Sequence, residues 1–385
     1  MRVGTRVKLA LAFSLVLVLV LVLGTVILVF PKSSHAADLA QWPTLGFNNQ
    51  RTRFNPHESE LTPSTVGHLQ PGWSYTAGQS IASSAAVSQS SVFFGAEDNH
   101  LYALNRVTGA MLWSFQTGSF VDTSPTVAHG VVYFGSDDGN IYALHAQTGS
   151  LLWSYQTSAF MFASPIIEDE TLYSGSFNGS IYALNAKTGA LLWRYQTGNI
   201  VVSSPALDDR VIYCGSNDGN LYALNAETGA LLWSYKTGGA VDGSPAVERG
   251  IVYFGSQDGN VYALNAKTGA LLWSYKTGGA IDTAPALEGG VVYIGSQDTN
   301  LYALDAKTGA VRWSYQADSA ISDSPALAHG VVYSSSRAGF LYALDAKTGA
   351  VLFSTFLGTA LTSPAVVDGG VYVGSADGTL YTLHL

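Results

Sequence analysis

The sequence predicts an all-β protein, an eight-bladed β-propeller of four-stranded antiparallel blades that is closed by an N-terminal strand. Three observations support this prediction. A block of about forty residues recurs along the chain, as in Ser244 to Gly278. Each copy contains four short runs of β-branched and aromatic residues, separated by turn residues. The final copy lacks its fourth run, and a matching run stands alone before the first copy.

The N-terminal segment, residues 1–36, is predicted to be a membrane anchor or a signal peptide. Basic residues precede an apolar run of about 22 residues, from Leu9 to Phe30. This length is close to the roughly 20 residues that span a bilayer and exceeds the core of a usual signal peptide. We therefore expect a single-pass cell-membrane protein, held through residues 9–30, with its propeller outside the cytoplasm. Cleavage after Ala36 is the alternative, and it would give a secreted protein.

The composition argues against nucleic-acid binding and excludes an internal disulfide. The chain has 18 basic and 27 acidic residues, and four of the basic residues lie in the first 36. The exported part is thus strongly acidic and has no basic cluster, so binding to nucleic acid is not expected. Only one cysteine is present, Cys214, so no internal disulfide can form. Other copies have Phe134, Phe254 or Ile294 at its position, which predicts a buried apolar filler.

The two ends of the chain are predicted to complete one blade together. A lead-in segment, residues 37–68, precedes the propeller, residues 69–385. Gly72–Thr76 matches a fourth strand, and the last copy ends after its third strand at Leu383. Joining them closes the ring and leaves no unpaired sheet edge at the seam. The eight first strands begin at Ser84, Ser124, Ser164, Ser204, Ser244, Ala284, Ser324 and Ser363.

A tryptophan recurs every forty residues on the fourth strand, and Phe353 takes the next position. The tryptophans are Trp73, Trp113, Trp153, Trp193, Trp233, Trp273 and Trp313. The stretch from Ala303 to Trp313 resembles the tryptophan-docking motif of the quinoprotein (PQQ-like) β-propeller repeat family. This family includes the BamB-type propeller and the propeller of dehydrogenases that use pyrroloquinoline quinone (PQQ). The resemblance covers roughly residues 69–385 and implies that each tryptophan wedges between adjacent blades.

Residues that are present in every blade are predicted to be scaffold, so functional residues are sought among the exceptions at one rim. We call it the hairpin rim, because the hairpins between second and third strands, such as Asp258-Gly259, lie there with the connections between blades. Four aspartates near the Ser-Pro pairs are expected to ring the channel mouth there. They are Asp122, Asp242, Asp282 and Asp323. Carboxylates suit calcium, so a cation site and a set of solvated loop aspartates are both open interpretations.

Blades three and seven depart most from the repeat at the hairpin rim. Apolar side chains replace the usual Gly, Val or Asp in blade three, and an Arg and a Phe enter the hairpin of blade seven. The predicted contact residues are Phe160, Met161, Phe162, Phe177, Arg337 and Phe340. Aromatic and Arg side chains are typical of binding surfaces. Local repacking after repeat divergence is the alternative interpretation.

The sequence favours a non-catalytic, extracytoplasmic scaffold that binds a protein or peptide at one rim and needs no cofactor. The family resemblance implies an alternative, a PQQ-dependent oxidoreductase or electron-transfer protein with calcium. Those dehydrogenases hold PQQ beside a vicinal disulfide, which one cysteine cannot supply, and their calcium ligands and catalytic Asp match no motif here. A cell-wall glycan binder is a third hypothesis. The histidines lack metal-ligand spacing, and no Gly-x-Ser-x-Gly motif is present.

Overall fold

The computed structural model describes residues 42–385, which form eight antiparallel blades of four strands each. This confirms the predicted propeller. The seventh sheet gains a fifth strand from the lead-in segment. The predicted N-terminal anchor lies outside the described residues. Among residues 42–385, no helix has the length and hydropathy needed to cross a bilayer.

The strands follow one another in the predicted order. The lead-in and closing segments contain β1 (Phe54–Asn55), a 3-10 turn (Val66–His68) and β2 (Gln70–Thr76). Blades one to four contain β3 (Ala86–Val87), β4 (Ser91–Ala96), β5 (His100–Asn105), β6 (Met111–Gln116), β7 (Thr126–Ala128), β8 (Val131–Gly135), β9 (Asn140–His145), β10 (Leu151–Gln156), β11 (Ile166–Glu168), β12 (Thr171–Gly175), β13 (Ser180–Asn185), β14 (Leu191–Gln196), β15 (Ala206–Asp208), β16 (Val211–Gly215), β17 (Asn220–Asn225) and β18 (Leu231–Lys236). Blades five to eight contain β19 (Ala246–Glu248), β20 (Ile251–Gly255), β21 (Asn260–Asn265), β22 (Leu271–Lys276), β23 (Ala286–Glu288), β24 (Val291–Gly295), β25 (Asn300–Asp305), β26 (Val311–Gln316), β27 (Ala326–Ala328), β28 (Val331–Ser335), β29 (Phe340–Asp345), β30 (Val351–Phe356), β31 (Ala365–Val367), β32 (Gly370–Gly374) and β33 (Thr379–His384).

The inner strands are shorter than the sequence predicts, because each Ser-Pro pair lies before its strand. Proline has no N–H to donate to a sheet ladder. The serine hydroxyl instead links neighbouring blades: Ser244 Oγ accepts a hydrogen bond from the backbone N–H of Ser204 at 3.1 Å. The same bond recurs around the channel from Ser84 to Ser124, Ser124 to Ser164, Ser164 to Ser204, Ala284 to Ser324 and Ser324 to Ser363.

Blade six interrupts this series because it has Ala284 where a serine hydroxyl is needed by the N–H of Ser244. We expect Ala284→Ser to raise the free energy of unfolding by about 1 kcal/mol, the usual net contribution of one hydrogen bond. Urea denaturation would measure it. The matched control is Ser204→Ala, which removes an existing bond and should lower the free energy of unfolding by a similar amount. A lower stability of Ala284→Ser would contradict the prediction.

Each tryptophan of a fourth strand packs across onto the next blade. Trp233 Nε1 donates to the carbonyl of Ala266 at 3.0 Å, and its ring covers Gly269. Gly269 has φ +70°, and a Cβ there would lie 2.7 Å from the indole, so glycine is required twice over. The same hydrogen bond is made by Trp73, Trp113, Trp153, Trp193, Trp273 and Trp313. The inter-blade role that the family resemblance implies is confirmed.

Phe353 replaces tryptophan for a structural reason. In blade eight the third and fourth strands come from opposite ends of the chain: β33 pairs with β2, with Thr379 opposite Thr76. This confirms the predicted closure. No turn joins those two strands, so the glycine and carbonyl that the other tryptophans contact are missing. The 3-10 turn Val66–His68 packs against β30 there instead.

Residues 42–60, here called the plug segment, cross the channel and contact all eight blades. Its strand β1 pairs parallel with the inner strand β27. The backbone carbonyls of the plug segment also accept hydrogen bonds from the N–H groups of inner strands. These bonds join Pro43 to Val127, Asn49 to Leu207, Gln50 to Val247, Thr52 to Leu287 and Arg53 to Leu327. The inner edges of the blades are therefore paired rather than left open to solvent.

The plug segment contacts blades one, three and eight through other hydrogen bonds. Trp42 pairs with Val87 of blade one through two backbone hydrogen bonds. The side-chain amide of Asn49 donates to the carbonyl of Ile167 in blade three at 2.7 Å. In blade eight, Asn55 Nδ2 donates to the carbonyl of Val366 at 2.9 Å. The lead-in segment is thus part of the propeller, which the sequence did not predict.

Candidate functional site

The plug segment blocks the channel and leaves a funnel that opens at the hairpin rim. The funnel has a volume of about 200 Å³, and Leu45 of the plug segment lies at its closed end. Its wall is built from the Ser-Pro serines and the residues just before them. The four predicted aspartates, Asp122, Asp242, Asp282 and Asp323, all line this funnel, together with Phe162. The structure therefore brings the predicted acidic residues and one predicted contact residue to one place.

Arg51 links the plug segment to the blades beneath the funnel through hydrogen bonds. Its side chain is 0 % exposed. Its Nε donates to the carbonyl of Pro205 at 2.6 Å, its Nη2 to that of Ser164 at 2.9 Å, and its Nη1 to that of Leu45. Burial, with a smaller effect of the Arg53 charge, lowers the pKa of Arg51 to about 9. The guanidinium therefore stays charged at neutral pH.

Arg53 is also buried but is less completely bonded. Its Nε donates to the carbonyl of Pro325 at 2.7 Å, while its Nη1 has no hydrogen-bond partner within residues 42–385. The nearby Asp323 does not form an ion pair with it, although the two charges act on each other. Burial raises the pKa of Asp323 to about 7, and the Arg53 charge opposes this rise. Asp323 therefore titrates near neutral pH.

The other three aspartates present incompletely bonded carboxylates. Asp242 and Asp282 each accept one hydrogen bond, from the side-chain amides of Gln257 and Gln297. The second carboxylate oxygen of each is buried without a partner in the described part of the chain, and so is one oxygen of Asp122. Buried oxygens without a partner are uncommon in folded proteins, and an ordered water or a bound group usually accounts for them.

Two of these carboxyl groups titrate near neutral pH because they are shielded from water and close to like charges. Burial, then the charges of Asp137 and Glu97, raise the pKa of Asp122 to about 7. Burial, then the charge of Asp282, raise the pKa of Asp242 to about 6. The funnel thus gains negative charge as the pH rises through this range.

The predicted calcium site is not formed in advance. Within residues 42–385, no group of three or more His, Cys, Asp or Glu side chains is arranged to hold a metal ion. The four aspartates come from different blades and face one funnel without converging on a point. The structure supports an acidic funnel wall rather than a coordination shell.

Blade three places an aromatic cluster at the funnel mouth. Phe160 and Phe162 are 53 % and 36 % exposed, and Phe177 lies half-buried between them. The ring centroids of Phe162 and Phe177 are 4.7 Å apart, and those of Phe160 and Phe177 are 6.1 Å apart. We call Phe160, Phe162 and Phe177 the aromatic cluster. It is an exposed apolar surface on the hairpin rim.

Met161 does not belong to this surface. Its side chain is 0 % exposed and packs between blades two and three, so the prediction that it contacts a partner is wrong. Adjacent residues of an extended chain point to opposite sides, which explains why its two neighbours are exposed. Sequence reasoning missed Phe120, which holds the position of Phe160 one blade earlier and is 40 % exposed.

Blade seven supplies one residue to the rim rather than two. Arg337 is exposed in its hairpin. Phe340 is half-buried and packs on Phe356 and Tyr342, with ring centroids 5.5 and 6.1 Å apart. Because Phe356 belongs to the outermost strand β30, Phe340 contributes to the outer part of the blade and does not line the funnel.

The raised pKa of Asp122 predicts a pH-dependent stability. Its carboxyl pKa, about 7 in the folded protein, exceeds the ordinary value of about 3.9. The folded state therefore keeps a proton that the unfolded state releases between those values, and stability falls as the pH rises through this window. We expect Asp122→Asn to raise the free energy of unfolding by about 1 kcal/mol at pH 8, a value reduced for solvent screening, and by nothing at pH 4.

Urea denaturation at the two pH values would test this expectation. The matched control is Asp169→Asn, since Asp169 is exposed on the opposite rim and should give no difference between them. Equal effects of Asp122→Asn at pH 4 and pH 8 would show that the Asp122 carboxyl does not titrate in this range.

Comparison with known proteins agrees with this architecture. The family model described as outer membrane protein assembly factor BamB matches residues 66–197, 160–280, 236–324 and 319–384. The chain belongs to this BamB-like family of PQQ-type propellers. The matches cover the whole propeller from the closing strand to the last strand. A search of curated proteins finds no significant match.

Solved structures show the same fold. BamB from Moraxella catarrhalis is 21 % identical, covers 82 % of this chain and 100 % of its own, and has a TM-score of 0.73. A europium-containing methanol dehydrogenase is 15 % identical, with 91 % and 99 % coverage and a TM-score of 0.80. The computationally designed Ika8 protein is 24 % identical, with 80 % and 98 % coverage and a TM-score of 0.74. Identities this low establish the propeller fold alone.

The funnel of this BamB-like propeller does not fit PQQ. The quinone carries three carboxylates and needs cationic partners, whereas the funnel wall presents four aspartates. Every guanidinium nitrogen of Arg51 already donates to a backbone carbonyl. The one cysteine, Cys214, is buried between blades and cannot form a disulfide. The residues present therefore offer no evident way to hold the quinone.

Proposed function

We propose that the propeller is a non-catalytic scaffold that binds a protein or peptide at the hairpin rim. The observation that carries this proposal is the aromatic cluster at the mouth of a funnel that is closed beneath. Exposed phenylalanines are unfavourable in water, at about 25 cal/mol per Å² of apolar surface. Aromatic groups of this kind are typical central contacts of protein interfaces. Membership of the BamB-like family supports a scaffold role.

The aromatic cluster predicts the effect of paired substitutions. We expect Phe160→Ser combined with Phe162→Ser to abolish retention of partners by the immobilised full-length protein, because two central contacts are lost. Val107→Ser is the matched control, since Val107 is an apolar residue 79 % exposed in a turn on the opposite rim. Quantitative mass spectrometry of material retained from the native host would compare the three proteins. Partners that stay bound to the double variant would refute a role for this rim.

A second candidate is a PQQ-dependent oxidoreductase, which the fold shared with a methanol dehydrogenase favours. The acidic funnel argues against it. A titration of the protein with PQQ and calcium would decide, with thermal stability and alcohol-dependent dye reduction followed together. Saturable stabilisation with turnover would support the dehydrogenase, since a ligand that binds only the folded state stabilises it. No change in either quantity would leave the scaffold.

The first 36 residues support a proposal on where the protein acts. We propose that the propeller lies outside the cytoplasm, held by the apolar run from Leu9 to Phe30. An alkaline phosphatase fusion after Leu385, which is active only when exported, would test this placement. An inactive fusion would assign the propeller to the cytoplasm.

A further inference from the structure

We propose that the funnel takes the Lys or Arg side chain of a peptide segment whose neighbouring apolar residue packs on the aromatic cluster. The partner is thus a cationic, aromatic-binding segment rather than an acidic or neutral one. This inference rests on the proposed function, because it specifies the chemistry of the partner at the same rim. Three features of the rim support it.

The first feature is the charge of the rim. Basic residues in its loops include Lys236, Lys276 and Arg337. The ammonium groups of Lys236 and Lys276 donate hydrogen bonds to backbone carbonyls. The carboxylates that line or border the funnel are Glu97, Asp122, Asp137, Asp242, Asp282 and Asp323. Such a potential attracts cations and repels acidic partners.

The second feature is the set of unused hydrogen-bond acceptors. One buried oxygen each of Asp122, Asp242 and Asp282 has no partner within residues 42–385. A Lys ammonium carries three donors and an Arg guanidinium five, and neither carries an acceptor. Asp242 and Asp282 are close enough for their charges to act on each other, so one cationic group beside them would be attracted to both carboxylates. Bonds between charged partners are about twice as strong as neutral ones.

The third feature is the shape of the funnel, together with the one phenylalanine in its wall. Leu45 closes it, so a side chain can enter but a peptide cannot pass through. Phe162 lines the wall in blade three, between Asp122 of blade two and Val202 of blade four. Lys and Arg lay their methylene groups on apolar surface while the charged end reaches polar groups. The charge of the incoming side chain is also attracted to an aromatic face.

The test uses three fluorescein-labelled octapeptides and the full-length protein in detergent. The peptides alternate Phe with Lys, Ser or Glu, and binding is followed by fluorescence anisotropy at pH 8. We expect the Lys peptide to bind at least tenfold more tightly than the Ser peptide, and the Glu peptide not to bind. Raising the salt concentration from 50 to 500 mM should remove most of the difference, because exposed charges are then screened.

Variants assign the binding to the funnel. Asp242→Asn with Asp282→Asn should weaken the Lys peptide at least tenfold and leave the Ser peptide unchanged. The matched control, Asp169→Asn with Glu170→Gln, removes two exposed carboxylates from the opposite rim and should change neither. Thermal unfolding of each variant confirms that it is folded. Phe162→Ser should weaken every peptide that binds.

The outcomes separate this inference from the proposed function. Equal affinities of the Lys and Ser peptides, both lost in Phe162→Ser, would overturn the cationic partner and leave the rim as a binding surface. Equal loss in the opposite-rim control would overturn the inference by showing non-specific attraction. If no peptide binds, and the Phe160 and Phe162 double variant still loses its natural partners, the inference is also overturned. If no peptide binds and the double variant keeps its natural partners, both proposals are overturned.

Discussion

Arg51→Met is expected to lower the free energy of unfolding by about 3–5 kcal/mol, because each buried carbonyl left without a donor costs about 1–3 kcal/mol, partly offset by removal of a buried charge. Arg51 is completely buried and donates hydrogen bonds to three backbone carbonyls, those of Leu45, Ser164 and Pro205. Methionine fills part of the volume but leaves all three carbonyls without this donor. Urea denaturation followed by tryptophan fluorescence would measure the loss.

The matched control for this prediction is Arg312→Met. The Arg312 side chain is 45 % exposed and pairs with Asp305 at 2.8 Å on the surface. Exposed ion pairs contribute about 0–1 kcal/mol, so this variant should remain close to the wild type. If Arg51→Met were as stable as Arg312→Met, the plug segment would not depend on Arg51.

Trp273→Ala is expected to lower the free energy of unfolding by about 3–5 kcal/mol, the usual cost of emptying a buried aromatic site. Trp273 is 8 % exposed, covers Gly309 and donates from Nε1 to the carbonyl of Ala306 at 3.0 Å. The alanine variant loses the ring contact, the hydrogen bond and the packing between blades five and six. Differential scanning calorimetry and urea denaturation would both report the change.

The protein itself supplies the control substitution for this position. Phenylalanine occurs naturally at the equivalent Phe353, so Trp273→Phe keeps an aromatic ring and removes the N–H donor. We expect this variant to lose about 1 kcal/mol, the contribution of one hydrogen bond. A loss as large as that of alanine would show that the hydrogen bond, and not the ring, joins the blades.

The propeller could be predicted because its information is repeated. A tryptophan every forty residues, a glycine in six of the eight hairpins between second and third strands, and an incomplete final copy determine blade number and closure. Strand order alone also placed Asp122, Asp242, Asp282 and Asp323 at one rim, where they line the funnel. Each feature of the repeat is seen in several blades, so each inference rests on several observations. A residue that departs from the repeat, such as Phe353, then indicates that its surroundings differ from those in the other blades.

The plug segment could not be predicted for the opposite reason. It occurs once and holds the blades mostly through backbone carbonyls, such as those of Gln50 and Thr52. Every residue has a carbonyl, so the sequence carries little record of these bonds. The burial of Met161 was missed because a run of three apolar residues does not show which of them faces inward. The depth of the funnel depends on the plug segment and was missed with it.

The pairing of β2 with β33 also sets the order of events as the chain is made. The outermost strand of blade eight is synthesised before any other blade strand, and its partner, Thr379–His384, is synthesised after all of them. Contacts between such distant residues form slowly, because the long loop between them must first be ordered. During synthesis the ring therefore stays open at one seam until Thr379–His384 has been made, and a chain without these residues could not close it.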